Sequence, residues 1–559
     1  MVEKRLNKNP KKPKRVLSRK HRFVKYFVLP LAIYFLFFCI YSWPWIKHFN
    51  TNFFTDAGDG LQNVWNMWWV NKSVVQLHQL PWYTTYLHAP FGVTLVGQTL
   101  NPVNGFTGII LQRFMSLTQA FNIMVIFSFI ASGLTMFWLC HYFTKNYVAS
   151  IIGGAIFTFS SYHFAHAIGH IQLITLEFIP LYILFLWKLL KKPTILLSIG
   201  AAVSLLLVLF SDYYYFLYVV MLSVFIIGYL WHKKELADYK DRDTYLPWVV
   251  FIVLSMLIVA PLPIALLLVN KREALMGSHN ARVFSTDAAS PLVDGDFWRF
   301  NSLTTFYYKH VIAFKAESSV YMGLSVITLY IVALWKRAKI HKDMVFWLGV
   351  SIFFGVMSLG PRPLVAGHSV GRIPLPYTIM EHVIPGIKLS GMPVRMMAMV
   401  SVGSGVIGAM VLSKLNPKAR KGKLVLLLFC SVLFIEMWPA ELPFTSNTMP
   451  GYVFALRSLP HTGAVLDDAA PTEPTQLYHQ TGDDQKMVLG YISRTPQKIF
   501  DKEKPLSILI SQGKYDQLCT MFSLRYFTTP PNRPLVTKFP IVYQDNQAII
   551  YDLKNSPKC

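Results

Sequence analysis

The sequence is poor in charged residues, and it has fewer acidic than basic residues. Only 14% of the 559 residues are Asp, Glu, Lys or Arg, whereas a soluble protein of this size carries roughly 25%. Hydrophobic residues make up 53% of the chain and aromatic residues 15%. This composition is not that of an ordinary soluble protein, and it predicts a membrane protein.

The shortage of acids leaves a net charge of +25. Such an excess can indicate nucleic-acid binding, but here the basic residues are segregated along the chain. Residues 1–25 contain 11 Lys or Arg and end where a long apolar run begins. Further basic clusters lie in short loops between apolar segments, at Lys188–Lys192, His232–Lys234, Lys336–Lys342 and Lys414–Lys423. Cytoplasmic loops of membrane proteins have this distribution, so we expect membrane lipids and not nucleic acid as partners.

The chain has only five cysteines, and their spacing matches no metal-binding pattern. Cys39, Cys140 and Cys430 lie inside apolar segments, where cysteine is usually a small buried hydrophobic residue. Cys519 and Cys559 lie near the C-terminus, and whether they pair stays open at this point. The cysteines therefore indicate no metal cluster.

Eleven apolar segments are candidates for crossing the membrane. They lie at 24–46, 120–141, 147–161, 171–188, 194–211, 213–231, 247–269, 320–335, 344–359, 394–413 and 423–439. No small-residue cleavage site follows the first segment, so we expect an uncleaved signal anchor. If residues 1–23 are a basic cytoplasmic N-terminus, eleven crossings place every basic cluster inside. The sequence therefore predicts an α-helical polytopic membrane domain over 24–439.

The same topology assigns the long loops to the outer side of the membrane. These loops are 47–118, 271–319 and 361–393, and they carry most of the acids, tryptophans, glycines and prolines. Residues 440–559 also lie outside and contain short β-like runs such as "LRYFTT" and "IVYQDNQAIIYDL". We therefore expect a C-terminal extracytoplasmic mixed α/β domain and a functional site in the outer loops.

The first outer loop contains two aspartates in the stretch "TDAGDGLQNVWNMWWV", residues 55–70. If a helix starts at Gly60, then Asp59 and Asn63 share its polar face and the tryptophans lie opposite. One interpretation is a helix along the membrane interface whose polar groups face a cavity. The other is that an aspartate only caps the helix, since Asp is a favoured N-cap residue. The spacing alone does not decide between the two, and Asp56 is the weaker candidate.

Three histidines and a glutamate form a second candidate group. His163, His166 and His170 recur at spacings of three and four, which would put them on one helical face. They match no standard zinc spacing, so a polar surface for a ligand's phosphate or hydroxyl groups is the better interpretation. Glu177 lies inside an apolar segment, where it either faces a cavity or pairs with a histidine.

The second and third outer loops contain the remaining candidates. Asp294 and Asp296 form a D-x-D pair that could hold Mg²⁺ or Mn²⁺, although Asp-Gly-Asp is also common in turns. Arg395 lies at the mouth of an apolar segment and keeps its charge, which suits the phosphate of a lipid carrier. Contact with lipid head groups is the alternative for this arginine. Arg372 is a weaker candidate of the same kind.

The chain resembles the GT-C class of integral-membrane glycosyltransferases, and in particular a bacterial branch of that class. The resemblance rests on the order of several phrases, among them "GDGLQNVWNMWW", "YLHAPFGVTL", "SSYHFAHAIGHIQL", "PLPYTIMEHVIPGIKLSGMPVRM" and "QTGDDQKMVLGYISRTP". It implies a GT-C-like fold and transfer of a hexosyl or pentosyl group from a polyprenyl-phosphate donor. It also implies an acid of the first outer loop as catalytic base, here Asp59 with Asp56 as second choice.

The resemblance further implies an inverting reaction at the outer face of a bacterial inner membrane, with a glycan, lipid or protein of the cell envelope as acceptor. Arg395 would then hold the donor phosphate, and the histidines and Glu177 would line the cavity. The resemblance assigns no definite cofactor, a divalent cation such as Mg²⁺ or Mn²⁺ is compatible with the class, and metal dependence stays open. The alternatives are a flippase or other transporter of lipid-linked sugars and a non-catalytic membrane scaffold.

Overall fold

The computed structural model describes residues 18–238, 241–311, 315–336, 339–371, 374–535 and 539–555, and most of them are helical. In the first half of the chain, helical segments run over Arg19–Phe23, Val24–Val28, Leu29–Tyr41, Trp43–Lys47, Asp59–Asn71, Lys72–Gln76, Pro102–Leu111, Leu117–Thr144, Tyr147–Thr158, Ser161–Ala167, Ile171–Ile174, Phe178–Lys191, Ile195–Ser211, Tyr213–His232, Arg242–Leu254, Ser255–Val259 and Pro261–Glu273. In the second half they run over Asn301–Leu303, Thr305–Tyr308, Lys315–Ser318, Leu324–Lys336, Met344–Ser358, Pro376–Val383, Pro385–Ser390, Pro393–Met396, Met397–Leu412, Arg420–Glu436, Gly451–Ser458, Glu473–Asp483, Gln497–Ser511, Tyr515–Phe522 and Leu553–Asn555.

Six helices of the described ranges are long and apolar enough to cross a membrane. They are Arg19–Tyr41, Leu117–Thr144, Ile171–Lys191, Tyr213–His232, Arg242–Val259 and Pro393–Leu412. Tyr147–Thr158 and Ser161–Ala167 are bent by 44° and bring the number to seven if they form one span. The protein is therefore an integral membrane protein.

Every one of the eleven predicted segments contains a helix, but several of these helices are short. Ile195–Ser211, Leu324–Lys336 and Met344–Ser358 are apolar and have 10–17 residues, fewer than the roughly 20 of a full span. Arg420–Glu436 begins with basic residues in its first turn. The count of eleven crossings thus stays a prediction.

Small residues let the first span pack closely against its neighbours. A Cβ atom at Gly133 would lie 2.7 Å from the ring of Tyr34, and one at Gly154 would lie 2.1 Å from the Tyr34 hydroxyl oxygen. These glycines belong to the helices Leu117–Thr144 and Tyr147–Thr158. Membrane helices commonly use small residues for such close contacts, because lipid provides little hydrophobic force between them.

The C-terminal segment forms a five-stranded mixed sheet. Its strands occur in the order Ile541–Gln544, Ile549–Asp552, Leu524–Thr529, Ala464–Asp467 and Lys486–Met487. The first three pair antiparallel, and the last three pair parallel. The strands lie in the β-like runs of the sequence, with Asp545 in the predicted hairpin turn. The boundaries predicted for separate domains, at residues 23 and 439, stay predictions.

The C-terminal segment is attached to the outer loops at several points. Short strand pairs join Asn52–Phe53 to Thr445–Ser446 and Leu275–Met276 to Thr495–Pro496. The remaining short strands, Tyr83–Thr84 with Val93–Thr94 and Leu364–Val365 with His368–Ser369, form hairpins within single loops. The C-terminal segment therefore lies directly over the first and second of the predicted outer loops.

The helix Asp59–Asn71 is the main contact of the C-terminal segment with the first loop. The Trp65 indole nitrogen donates to the Gln480 side-chain oxygen at 2.7 Å, and Lys72 forms an ion pair with Asp484 at 2.5 Å. Ten residues of this helix are buried, including Trp65 and Trp69. The tryptophan face is thus covered by protein, which differs from the interfacial position that the amphipathic pattern predicts.

Candidate active site

The start of the helix Asp59–Asn71 separates the roles of the two aspartates. One oxygen of Asp56 accepts hydrogen bonds from the backbone nitrogens of Gly58 and Gly60, at 3.1 and 3.0 Å. Gly60 approaches Thr55 so closely that a Cβ atom would lie 2.1 Å from the Thr55 hydroxyl. Burial raises the pKa of Asp56, and the two backbone bonds oppose this. Asp56 therefore satisfies the free amides of the helix start and performs the capping function.

Asp59, the first residue of the helix, points into a cavity. Its Oδ1 accepts a hydrogen bond from the Tyr491 hydroxyl at 2.7 Å, and its Oδ2 lies 3.1 Å from Nε2 of His170. The side chain is 41% exposed. Burial alone would raise the pKa of Asp59, but the hydrogen bond and charge of His170, together with Tyr491 and Arg395, lower it to about 2. Asp59 is thus an ionised carboxylate at neutral pH.

The histidines continue from Asp59 into the protein. His170 Nδ1 lies 3.3 Å from His166 Nδ1, and His166 Nε2 lies 3.7 Å from a carboxylate oxygen of Glu317. The helix Ser161–Ala167 ends before His170, because the chain turns at Ile168 and Gly169. The prediction that the three histidines share one helical face is therefore wrong.

His163 belongs to a different part of the structure. Its ring nitrogens lie 2.7 Å from the Thr158 carbonyl and 2.9 Å from the Ile174 carbonyl. The ring stacks on Phe129 with a centroid distance of 4.0 Å. His163 thus holds two backbone turns together, away from the cavity.

Arg395 and Glu317 form a buried ion pair next to the histidines. Arg395 Nη2 and Nε donate to one oxygen of Glu317 at 2.6 and 3.1 Å. The exposed fractions of the two side chains are 7% and 4%. Burial by itself would raise the pKa of Glu317, but the charge of Arg395 and the nearby histidines lower it to about 2. The pair is the end of a continuous polar row that begins at Asp59.

The cavity has a volume of about 770 Å³ and two kinds of wall. The polar wall includes Asp59, Gln62, Gln98, His170, Asp212, His279, Glu317, Arg395, Tyr491, Ser493 and Arg494. The other wall is apolar and includes Leu209, Phe210, Leu217, Leu262, Leu266 and Leu267. Leu267 is 48% exposed on a helix that has no buried residue. The apolar wall therefore borders a helix that other protein elements do not cover.

Several predicted site residues are not among the described residues that line this cavity. Asn63 donates to the carbonyls of Asp59 and Gly169, and so fixes the histidine turn against the helix. Glu177 is buried at the start of the helix Phe178–Lys191. Arg372 lies outside the described residues.

The two aspartates of the D-x-D pair also lie away from the cavity. The Asp294 carboxylate accepts from the Ser161 hydroxyl at 3.2 Å and from the Gly295 amide at 2.8 Å, and burial raises its pKa to about 8. The backbone carbonyl of Asp296 accepts from Asn301 at 2.8 Å. These contacts are those of a buried turn, which is the alternative interpretation of the motif.

Sequence reasoning missed Glu317, Tyr491, Arg494 and His279. Tyr491 and Arg494 lie within the phrase "QTGDDQKMVLGYISRTP". This phrase contributed to the resemblance, but no residue in it was predicted to belong to the site. Glu317 is a single acid in a loop and has no motif around it.

Burial lowers the pKa of His279 to about 4, with the charges of Arg494 and Arg395 adding to the effect.

Three residues of the row could together hold a metal ion. Ligand atoms of His166, His170 and Glu317 lie within 4.8 Å of one another, and Nε2 of His166 is buried without a hydrogen-bond partner among the described atoms. Two imidazoles and one carboxylate suit Zn²⁺ or Mn²⁺ better than Mg²⁺, which prefers oxygen ligands. His170 already contacts Asp59, and Glu317 already pairs with Arg395. A bound cation would therefore share these two side chains with their present partners.

A family model described as "Domain of unknown function (DUF6311)" matches residues 30–438. The chain belongs to the DUF6311 family. The matched region of this DUF6311 protein includes Asp59, His166, His170, Glu317 and Arg395, and it ends before Tyr491. No curated protein matches the sequence.

Solved structures show the fold of this DUF6311 protein. Arabinofuranosyltransferase AftD from mycobacteria is 12% identical, with a TM-score of 0.52 over 96% of this chain and 42% of that chain. The chain thus spans less than half of AftD, and the likeness supports a GT-C-like fold.

Two further structures are similar at lower scores. The oligosaccharyltransferase AglB from Archaeoglobus fulgidus, in complex with an inhibitory peptide and a dolichol-phosphate, is 10% identical with a TM-score of 0.45 over 91% of this chain and 70% of that chain. ArnT from Cupriavidus metallidurans, bound to undecaprenyl phosphate, is 8% identical with a TM-score of 0.47 over 94% of this chain and 98% of that chain.

Proposed function

We propose that the protein is a membrane glycosyltransferase that moves a hexosyl or pentosyl group from a polyprenyl-phosphate donor to an extracytoplasmic glycan, lipid or protein acceptor. The observation that carries this proposal is the position of Asp59. An ionised carboxylate, held by His170 and Tyr491, faces a cavity with one polar, charged wall and one apolar wall. A lipid-linked sugar has the same division into a polar head and an apolar tail.

The proposed reaction is a single displacement with inversion at the anomeric carbon. The acceptor oxygen forms a bond to that carbon while the bond from the carbon to the phosphate oxygen breaks. The acceptor hydroxyl becomes strongly acidic as its new bond forms, so Asp59 can take the proton despite its low pKa of about 2. The electron pair of the broken bond leaves with the polyprenyl phosphate.

The other residues of the polar row position the base. His170 and Tyr491 each contact one oxygen of Asp59, so they hold the carboxylate in one orientation. His166 and the Glu317–Arg395 pair fix His170 from behind. Fixed dipoles and charges of this kind need no reorganisation during the reaction, which is the main way a site stabilises a transition state.

The fold supports the proposal without identifying the substrate. AftD, whose fold the chain shares, is an arabinofuranosyltransferase. Because this chain spans only 42% of AftD, transferase activity, donor and acceptor are proposals for this protein. The resemblance to the GT-C class and the apolar wall of the cavity support a polyprenyl-phosphate donor.

A divalent cation is compatible with the site. His166, His170 and Glu317 would hold it, and it would supply positive charge for the leaving phosphate. The steps proposed above use only protein groups, because His170 already contacts Asp59 and Glu317 already pairs with Arg395.

We propose a bacterial inner membrane, with the N-terminus in the cytoplasm and the cavity and C-terminal domain outside. The basic clusters in the predicted cytoplasmic loops support this orientation. Cys519 is disulfide-bonded, whereas Cys559 lies outside the described residues. Disulfides persist in oxidising compartments, which supports an outer location for the C-terminal segment.

The experiment is a transfer assay with the purified full-length protein. Radiolabelled polyprenyl-phosphate sugars are offered with and without cell-envelope glycans, lipids and proteins as acceptors. Labelled product that depends on both donor and acceptor supports a transferase. Movement of the labelled donor across vesicles without product would indicate a transporter, and the absence of both would favour a scaffold.

A further inference from the structure

The C-terminal part of the chain contributes a second guanidinium to the cavity. Arg494 lines the cavity and is 7% exposed. Its Nη1 donates to the Ser493 carbonyl at 2.8 Å, and its Nη2 lies 3.4 Å from the Tyr214 hydroxyl. Arg494 is therefore a buried arginine whose charged end reaches the cavity wall.

Arg494 contacts Tyr214, which lies on the same helix as Leu217 of the apolar wall. Tyr214 contacts both arginines, since Arg395 Cζ lies 4.8 Å from the centre of its ring. The leucines Leu262 and Leu266 line the same cavity as Arg494. The cavity that Arg494 lines therefore also offers an apolar surface for an isoprenoid tail.

Arg395 is held in a buried ion pair. Both Nε and Nη2 of Arg395 donate to the Glu317 carboxylate, at distances of 2.6 to 3.4 Å. A phosphate bound to this guanidinium would lie next to a buried negative charge, and removing the pairing would leave that charge unbalanced. The contacts of Arg395 are those of a positioning residue, which holds Glu317 next to His166.

The surrounding backbone fixes Arg494 in place. A Cβ atom at Gly97 would lie 3.0 Å from the Arg494 Cβ, so the first loop passes close to the Arg494 side chain. Gly277 has a φ of +98°, and a Cβ atom there would lie 2.6 Å from the Ser493 carbonyl. The next residues, Thr495–Pro496, pair with Leu275–Met276 of the second loop. Two loops therefore clamp the segment that carries Arg494.

We propose that Arg494 binds the phosphate of the lipid-linked donor, and that the C-terminal segment Tyr491–Arg494 is part of the active site. This inference rests on the proposed function, because it takes the ligand to be an isoprenoid phosphate. The same segment supplies Tyr491 to the base and Arg494 to the leaving group. In this proposal, residues outside the region that the family model matches contact both the catalytic base and the leaving phosphate.

Equilibrium binding to the purified full-length protein tests the inference without any transfer step. The probes are a long-chain polyprenyl monophosphate, the matching polyprenol without phosphate, and phosphatidylglycerol as a phospholipid with a phosphate of its own. The variants are Arg494→Gln, Arg494→Lys and the double variant Arg395→Gln/Glu317→Gln. Arg457→Gln is the matched control, because Arg457 is an exposed arginine of the helix Gly451–Ser458 in the same C-terminal segment.

We expect Arg494→Gln to weaken binding of the polyprenyl monophosphate by about tenfold or more, because a hydrogen bond to a charged group is worth at least that much. Binding of the polyprenol should not change, and Arg494→Lys should restore part of the affinity. Arg457→Gln should bind the monophosphate within about threefold of the wild type, and the double variant should lose less affinity than Arg494→Gln. Thermal unfolding of each variant verifies that it is folded.

Two results would overturn the inference alone: unchanged binding of the monophosphate in Arg494→Gln, or a larger loss of affinity in the double variant than in Arg494→Gln. Binding of phosphatidylglycerol as tight as that of the polyprenyl monophosphate would also overturn it, since the site would then recognise any lipid phosphate. If the wild type bound no polyprenyl monophosphate, the proposed donor would be wrong as well.

Discussion

Asp56 and Asp59 lie three residues apart at the start of one helix, and their side chains have different surroundings. Asp56 accepts hydrogen bonds from two backbone amides at the start of the helix, whereas Asp59 contacts Tyr491 and His170 at the cavity. The two interpretations of this stretch, a helix cap and a chemical group, therefore apply to different residues. The sequence could predict that this stretch mattered, but it could not assign the two tasks.

Replacing Asp56 with Ala should reduce stability and preserve chemistry. The change removes the acceptor for the amides of Gly58 and Gly60, and losing such a cap typically costs about 0.5–2 kcal/mol. Thermal unfolding in detergent should show a lower midpoint, and the folded fraction should keep its transfer activity. A folded Asp56→Ala protein without activity would instead point to Asp56 as the base.

Replacing Tyr491 with Phe should move the acid limb of the pH–rate profile to higher pH. The Tyr491 hydroxyl donates to Asp59 and helps to lower the Asp59 pKa to about 2. Without this bond the pKa of Asp59 rises, so a smaller fraction is ionised at a given acidic pH. The measurement is the transfer rate as a function of pH.

Tyr543→Phe is the matched control for this change. Tyr543 also donates to an aspartate, Asp545, at 2.9 Å, but it lies in the hairpin of the C-terminal sheet. Its profile should equal that of the wild type. An unchanged acid limb in Tyr491→Phe would show that this hydrogen bond does not control the ionisation of the base.

At the scale of elements, the site depends on where helices end. The helix Ser161–Ala167 stops before His170, so His170 turns towards Asp59 and His163 remains in the protein interior. Helical periodicity assumes that a helix continues, so spacing alone put all three histidines on one face. Gly169, two residues after the helix, was the signal in the sequence that the face would be broken.

The ion pair between the loop helix Lys315–Ser318 and the segment Pro393–Met396 should be a strong element-to-element contact. Either Arg395→Gln or Glu317→Gln alone leaves a buried charge without its partner, which typically costs about 3–5 kcal/mol. The double variant removes both charges and should be markedly more stable than either single variant. Thermal unfolding of the three proteins in detergent measures this difference. Equal stability of all three would show that the pair is not energetically coupled.

At the scale of the whole molecule, the sequence predicted where helices occur, but it did not predict the long-range contacts between them. Apolar run length located a helix in each of the eleven predicted segments. The hydrogen bond between Tyr491 and Asp59 joins residues 432 positions apart. No local pattern contains such information, because the contact depends on how the C-terminal segment packs on the first loop. Glu317 could not be predicted for the same reason, because its partner Arg395 is 78 residues away in the sequence.

The topology makes a prediction that labelling can verify. Single cysteines introduced at Leu80 and at Lys233 lie in the predicted outer and inner loops, and Leu80 is 73% exposed. In spheroplasts of a cysteine-free background, a membrane-impermeant thiol reagent should label the cysteine at position 80 and not the one at position 233. Labelling at both positions after permeabilisation is the control. The opposite pattern would reverse the orientation and place the cavity on the cytoplasmic side.

The most direct test of the central claim is sugar transfer by Asp59→Asn. Wild-type and variant proteins, inserted into membranes to the same extent, receive the same radiolabelled polyprenyl-phosphate donor and acceptor. The variant keeps the shape of the side chain and loses its negative charge, so we predict product formation by the wild type and a loss of at least about a hundredfold in the variant. Product formation by Asp59→Asn at the wild-type rate would contradict the assignment of Asp59 as the catalytic base.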